Sequence, residues 1–129
     1  MKLAVDFDSV IHDPYNVRKG YKMGQPVAGA GEAIRQLKRQ GHTIVIFPVW
    51  ADTEKKRQAI VGWLTYFNVP FDDITSTKPD ADVYVDDRGY RFVSWEETVR
   101  FLKVLEKAHQ ESQAHEGVER TNAQVPDEL

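Results

Sequence analysis

Short apolar runs alternate along this chain with stretches whose apolar residues recur at helical spacing, and that alternation confines it to an α/β fold with a parallel sheet and helices on both faces. Lys2 to Phe7 is short, apolar and bounded by acids, which predicts a strand buried on both faces. An irregular stretch of about 18 residues follows, "HDPYNVRKGYKMGQPVAG", and a loop of that length inside a compact domain is usually functional or mobile. In "GAGEAIRQLKRQG", Ala33, Ile34 and Leu37 share one helical face and Gly41 supplies a C′ residue. A strand from Thr43 to Phe47 comes next. The helix after it, capped by Asp52 or Thr53, runs to about Phe67 with Ile60, Trp63, Leu64 and Phe67 along its apolar face. A weak strand is expected near Asp73 to Thr75, and "DVYVDD" reads as a second buried strand that ends in two acids. Ser94 and Glu97 make the S-x-x-E pattern of a capping box and open a last helix carrying Val99, Leu102 and Leu105. From about His109 the chain is polar and free of aromatics, so residues 109–129 are expected to fray or to be disordered beside a domain of residues 1–108.

Composition then narrows the chemistry. With 129 residues, 41% of them hydrophobic, the chain is the size of one globular domain and can bury a real core. A net charge of −3 gives no broad cationic face for a nucleic-acid backbone, which disfavours nucleic acid as a partner. The lack of cysteine excludes disulfides, thiolate metal sites and cysteine nucleophiles, and it fits a reducing compartment. An aspartate at position 6 comes too early for a signal-peptide apolar region, and no stretch approaches the roughly 20 apolar residues of a membrane span. A cytoplasmic protein with no membrane partner is expected.

In open parallel sheets the ligand crevice lies beyond the carboxyl ends of the strands. Three predicted strands end there in residues worth inspecting: Asp6 and Asp8 in "VDFDSVIH", Pro48 to Trp50 in "IFPVW", and Asp86 and Asp87 in "VYVDDR". If these strands are parallel neighbours, their carboxylates crowd one sheet edge, which is costly unless a cation sits among them or one is protonated. A hard divalent ion with oxygen ligands, Mg²⁺ in particular, answers that cost. Lys78, in "KPDADVYVDD", adds a fixed positive charge. An acidic pocket with a cation and a lysine is suited to holding a phosphoryl group.

Taken together, these residues resemble the haloacid dehalogenase superfamily of Mg²⁺-dependent phosphohydrolases over about residues 1–105. In that family an early D-x-D ends the first strand, a Ser or Thr ends the second, a Lys precedes the fourth and an acidic pair ends it. The counterparts are "DFD" at 6–8, position 48, Lys78, and "DD" at 86–87. Each landmark alone is weak, but in order, each at a strand end and three of them intact, they are specific. A receiver domain also carries acids at strand ends and a Lys-Pro, but its acidic pair lies on the first strand. The resemblance implies a three-layer, Rossmann-like parallel sheet with no separate cap domain. It implies Asp6 as the nucleophile that forms an aspartyl-phosphate, Asp8 as its acid/base partner and Lys78 as the cation that neutralises nucleophile and phosphoryl oxygens. Mg²⁺ would be held by the Asp6 carboxylate, the Asp8 backbone carbonyl and Asp86, with Asp87 as a further ligand or a holder of water.

Two positions depart from the family pattern. Ser9 stands where this branch commonly has glycine, a change expected either to stiffen the turn or to add a hydroxyl near the pocket. Pro48 replaces the Ser or Thr whose hydroxyl bonds a phosphoryl oxygen, and losing one such donor typically costs about 10² to 10³ in rate. The Val49 amide is expected to remain a phosphate donor, and Trp50 either stacks on a flat substrate such as a nucleotide or packs under the long loop. That loop, with His12, Tyr15, Arg18, Lys19, Tyr21 and Lys22, is too short for a cap, so the pocket is expected to be open. Relatives without caps often act on phosphorylated macromolecules or other large phosphorylated substrates, or gain a lid from a partner subunit, so a homo-oligomer is compatible with the resemblance. Two functions follow: a phosphomonoesterase, slow because of Pro48, or a weakly active or inactive module that binds a phosphorylated ligand or protein partner.

Overall fold

The computed structural model describes residues 1–116 of the chain. It is an α/β protein that forms two compact units, one of residues 1–87 and one that begins at Arg88. The first unit ends inside the stretch 1–108 expected as one domain.

The first unit is built on a four-stranded parallel sheet in the order β5-β4-β1-β6. Its strands are β1 (Lys2–Val5), β4 (Thr43–Ile46), β5 (Asp73–Ile74) and β6 (Val83–Val85). β1 is central: it pairs with β4 on one side, Val5 opposite Ile46, and with β6 on the other, Val5 opposite Val85. The chain therefore steps outward from β1 to β4 and β5, then crosses back to β6 on the far side of β1. In open parallel sheets such a reversal, at the carboxyl end of the central strand, is where ligands commonly bind. The order is what carries the acids to one edge, because "VDFD" leaves β1 beside "VDD" leaving β6.

β1 and β4 are buried as their apolar runs predict, with Ala4, Ile44 and Ile46 at 0% exposure. β6 is not. It is an edge strand, and Val83, Tyr84 and Val85 keep 36%, 37% and 40% of their surface exposed. Three β-branched or aromatic residues in a row fit an edge as well as a centre, and only the strand order separates the two.

Between β1 and β4 the chain forms a small ribbon and then α1 (Ala30–Arg39). The ribbon pairs β2 (His12–Asp13) antiparallel with β3 (Gln25–Pro26), so the long irregular loop carries structure of its own. The buried stripe of α1 is Ala30, Ile34 and Leu37 rather than Ala33, which is exposed. Ala30 and Ile34 are one turn apart, whereas Ala33 lies about 100° round the helix from Ile34, and a lone methyl loses little by facing water. The C-terminus closes as Gly41 requires: at φ 91° its N–H donates to the Lys38 carbonyl, while the His42 N–H donates to the Leu37 carbonyl. This is a Schellman closure.

α2 (Glu54–Tyr66) joins β4 to β5 and is capped by Thr53, whose hydroxyl accepts from the Lys56 amide. Ile60, Trp63 and Leu64 are buried and Phe67 packs beside them, which is the predicted face. Asn68 supplies the second left-handed closure at φ 55°, with the Val69 N–H donating to the Leu64 carbonyl at 2.9 Å. Asn tolerates this conformation better than most residues. Val69 then turns into the core.

Asp72 ties α1 to the sheet: it accepts from Lys38 Nζ at 2.7 and 2.8 Å and from the Ile44 amide at 2.7 Å. The Lys38 bond first, then the Ile44 amide, holds its pKa below the ordinary carboxylate value. A carboxylate whose folded pKa is depressed stabilises the fold above its unfolded pKa of about 3.9 and loses that stabilisation as pH falls through the lower folded value. With 37% of the Asp72 side chain exposed, solvent screening limits the ion-pair share to less than about 1 kcal/mol. Asp72→Asn should therefore melt a few degrees below wild type at pH 7, with the gap closing near pH 2. A gap independent of pH, measured by thermal melts, would refute the assignment.

In the second unit α3 (Trp95–Glu116) starts at Ser94, whose hydroxyl accepts from the Glu97 amide at 3.2 Å. The helix runs on through residues 109–116, the first part of the stretch expected as a tail. Residues 117–129 of that stretch lie outside the described residues. Among the described residues no helix is long and apolar enough to cross a membrane.

Candidate functional site

β1 ends at Val5, and Asp6 still runs alongside β6, its N–H donating to the Val85 carbonyl at 2.9 Å. On the other side the Phe47 N–H donates to the Val5 carbonyl, so the β4 tip, Pro48 to Trp50, follows next to Phe7 and Asp8. The chain then turns sharply. The Phe7 carbonyl accepts from the amides of Val10, Ile11 and His12, and the Ser9 N–H donates to the His12 carbonyl at 2.7 Å. Ser9 makes the turn at φ 66°, the left-handed region in which a Cβ is disfavoured. Glycine at this position would carry no such penalty.

Asp6 is half-buried, and its Oδ1 accepts from the Phe7 amide at 2.8 Å. Burial raises its pKa above the ordinary carboxylate value; the Phe7 amide works against this, and the negative charges of Asp87, Asp8 and Asp86 add to the rise. Asp6 thus lies within electrostatic reach of Asp8, Asp86 and Asp87. Asp86 and Asp87 are exposed.

Asp8 is held from two sides. His12 Nδ1 lies 2.7 Å from its Oδ1, and Trp50 Nε1 donates to its Oδ2 at 2.6 Å. Trp50 is partly buried against the core and tilted against Phe7, with ring centroids 6.2 Å apart. It packs as a support for Asp8, and its indole N–H is already engaged. His12, expected as one of several polar loop residues, has no exposed surface at all. Behind it the Gly24 N–H donates to Nε2 at 2.8 Å, and Trp63 Nε1 donates to the Gly24 carbonyl at 2.9 Å. The local signal for His12 was its place four residues after Asp8 across a tight turn. Its second partner, Gly24, is not visible without the ribbon.

The remaining predicted residues are placed as follows. Pro48 is fully buried and its carbonyl accepts from the Ala51 amide, whereas Val49 at the tip is 69% exposed. Among the described residues no group accepts from the Val49 amide. Lys78 is exposed and its Nζ sits 4.3 Å from the centre of the Tyr84 ring, while the Tyr84 hydroxyl donates to the Pro79 carbonyl. It makes no ion pair within 4.0 Å among the described residues, so the structure brings Lys78 to β6 without joining it to Asp6. Nor does any group of three His, Cys, Asp or Glu among the described residues stand ready to hold a metal ion.

No family model and no curated protein matches the chain. Among solved structures, a conserved protein from Bacteroides thetaiotaomicron is similar, with a TM-score of 0.56 and 20% sequence identity over 80% of this chain and 89% of its own. At that identity the likeness speaks for a shared α/β fold alone.

Proposed function

We propose that this chain is a Mg²⁺-dependent phosphomonoester hydrolase that works through an aspartyl-phosphate on Asp6. The observation that carries the reading is the pair Asp6 and Asp8 at the end of the central strand, with Asp86 and Asp87 near enough to raise the Asp6 pKa. The resemblance to the haloacid dehalogenase superfamily rests on the same residues. It extends to a three-layer sheet without a separate cap, in which the short β2–β3 ribbon is the only structured insert between β1 and α1 among the described residues. A cytoplasmic site of action and an open pocket for a phosphorylated small molecule or macromolecule belong to this reading.

The donor set is all oxygen, which suits a hard cation. Magnesium keeps several waters and is usually bound through one or two carboxylates, so a ready group of three is not required of the protein. Asp6 and Asp86 would hold it through carboxylates, Asp8 through its backbone carbonyl, and Asp87 would stand beside it. Bound there, the ion offsets the charge of the acids and of the phosphoryl oxygens.

The chain's own residues do the rest. The Asp6 carboxylate attacks phosphorus, an Asp6–phosphorus bond forms, and the ester oxygen leaves with a proton from Asp8. Asp8 then takes a proton from water, which attacks the same phosphorus and frees phosphate and Asp6. His12 and Trp50 set the direction of the two Asp8 oxygens. The Val49 amide is open to a phosphoryl oxygen, and Lys78 reaches the substrate by leaving the Tyr84 ring.

Pro48 favours a second reading, a module that binds a phosphorylated ligand with little or no turnover. It offers no hydroxyl and no N–H, so one donor to the phosphoryl group is missing. The two readings separate in a panel of aryl and alkyl phosphates assayed with Mg²⁺ and with EDTA. Slow, EDTA-sensitive phosphate release is expected, rising about 10- to 100-fold in Pro48→Thr if the hydroxyl restores part of one lost donor. A wild-type rate equal to that of Asp6→Asn across the panel would leave only the binding module.

A further inference from the structure

We propose that His12 is a positioning residue for Asp8, fixed in one tautomer by the backbone of the ribbon; the proposal rests on the hydrolase reading above. A backbone amide can only donate, so the Gly24 N–H makes Nε2 of His12 an acceptor. The ring hydrogen therefore sits on Nδ1, where it donates to Asp8 Oδ1 at 2.7 Å. The ring has no freedom to turn: it is fully buried, stacked on Phe7 at 4.9 Å and 6°, and met edge-on by Trp63 at 5.3 Å and 90°. Trp63 in turn holds the Gly24 carbonyl. With Trp50 on Oδ2, the Asp8 carboxylate is gripped at both oxygens by rings anchored in the core. An unsupported Asp8 would sample several rotamers, and a proton donor misplaced by about 1 Å forfeits about 100-fold in rate.

Nothing else in the site needs His12. It is too buried to touch substrate, and its ring neighbours are core residues. Its service to the reaction is the placing of Asp8, and through the Gly24 amide the β2–β3 ribbon takes part in that placing.

The test uses the full chain with Mg²⁺ and the variants His12→Phe, His12→Asn and Trp50→Phe, assayed on an alkyl phosphate and on nitrophenyl phosphate. kcat/KM reports the first transfer, in which the alkyl leaving group needs a proton from Asp8 and nitrophenolate needs almost none. His12→Phe should lose about 10- to 100-fold in kcat/KM on the alkyl ester and less than about threefold on nitrophenyl phosphate. His12→Asn, which keeps a short side-chain donor, should recover most of the loss. If His12→Phe does not fold, His12→Leu, which fills the buried site without a donor, carries the same comparison, and Trp50→Phe reports the other oxygen separately. Wild-type values in the folded His12→Phe or His12→Leu variant, or equal losses on both esters, overturn the role of His12 alone. Wild-type protein with no Asp6-dependent turnover overturns the hydrolase reading and this proposal together.

Discussion

Asp6→Asn should abolish Mg²⁺-dependent phosphate release while raising the melting temperature of the metal-free protein. Removing a covalent nucleophile leaves positioning and charge stabilisation only, and losses of at least about 10³-fold are usual for a residue of that kind. Stability should move the other way. Asp6 is half-buried, and burial first, then the charges of Asp87, Asp8 and Asp86, lift its pKa. For a carboxylate with a raised folded pKa, ionisation works against the fold: the penalty is present above the folded pKa and vanishes below the unfolded value of about 3.9. The amide keeps the Oδ1 that accepts from Phe7 and drops the charge. The variant should therefore be more stable than wild type at pH 7 without metal, with the difference fading near pH 3. Mg²⁺ should raise the wild-type melting temperature and leave the variant nearly unmoved, since at 100 times Kd a ligand adds about 2.7 kcal/mol to the state it binds. Melts at both pH values, with Mg²⁺ and with EDTA, check each arm. A variant less stable at pH 7 would refute the electrostatic account, and retained turnover would refute the nucleophile.

The second large effect is expected at Gly24. A Cβ there would run into the Asp13 carbonyl oxygen, stand 2.8 Å from its carbon and lie 3.3 Å from His12 Nε2. The first two are backbone atoms of the paired strand and cannot swing aside. Gly24→Ala must push β3 away from β2, which strains both the bond to His12 and the bond from Trp63. Overpacking of about 1 to 3 kcal/mol and two lost hydrogen bonds of about 1 kcal/mol each suggest a loss of about 3 to 5 kcal/mol. In a domain of this size that lowers the melting temperature by roughly 10 °C or more. A shift within 2 °C of wild type would mean that the ribbon accommodates the methyl and does not brace His12.

These two positions differ in how they could be found. Asp6 was legible because apolar runs and their terminal acids are written locally, as were the Thr53 cap, the Gly41 closure and the α2 stripe. Gly24 was not, because its crowding comes from Asp13 across a ribbon that two-residue strands do not announce. His12 looked like loop polarity, and Trp50 was expected either to stack on a flat substrate or to pack under the long loop. Trp50 reaches Asp8 through a contact that depends on the tertiary path of the chain, and His12 is held from behind by Gly24 across the ribbon. The exposure of β6 and the misplacement of Ala33 have the same origin: an apolar pattern reports that a face can be buried, while strand order and helix rotation decide whether it is.

Asp8 meets its two holders at very different separations along the chain, four residues for His12 and 42 for Trp50. The nearer contact can form within a single turn as soon as "DSVIH" folds on itself. The farther one requires α1 to cross and β4 to dock on β1, a closure whose entropy is paid before the contact returns anything. A partly folded chain can thus own the turn and even the His12 bond while its acid still swings free on one side. The site matures with the closure of the sheet, and a fault anywhere along the β1–β4 crossover would reach Asp8 as a loss of aim before it appeared as a loss of shape.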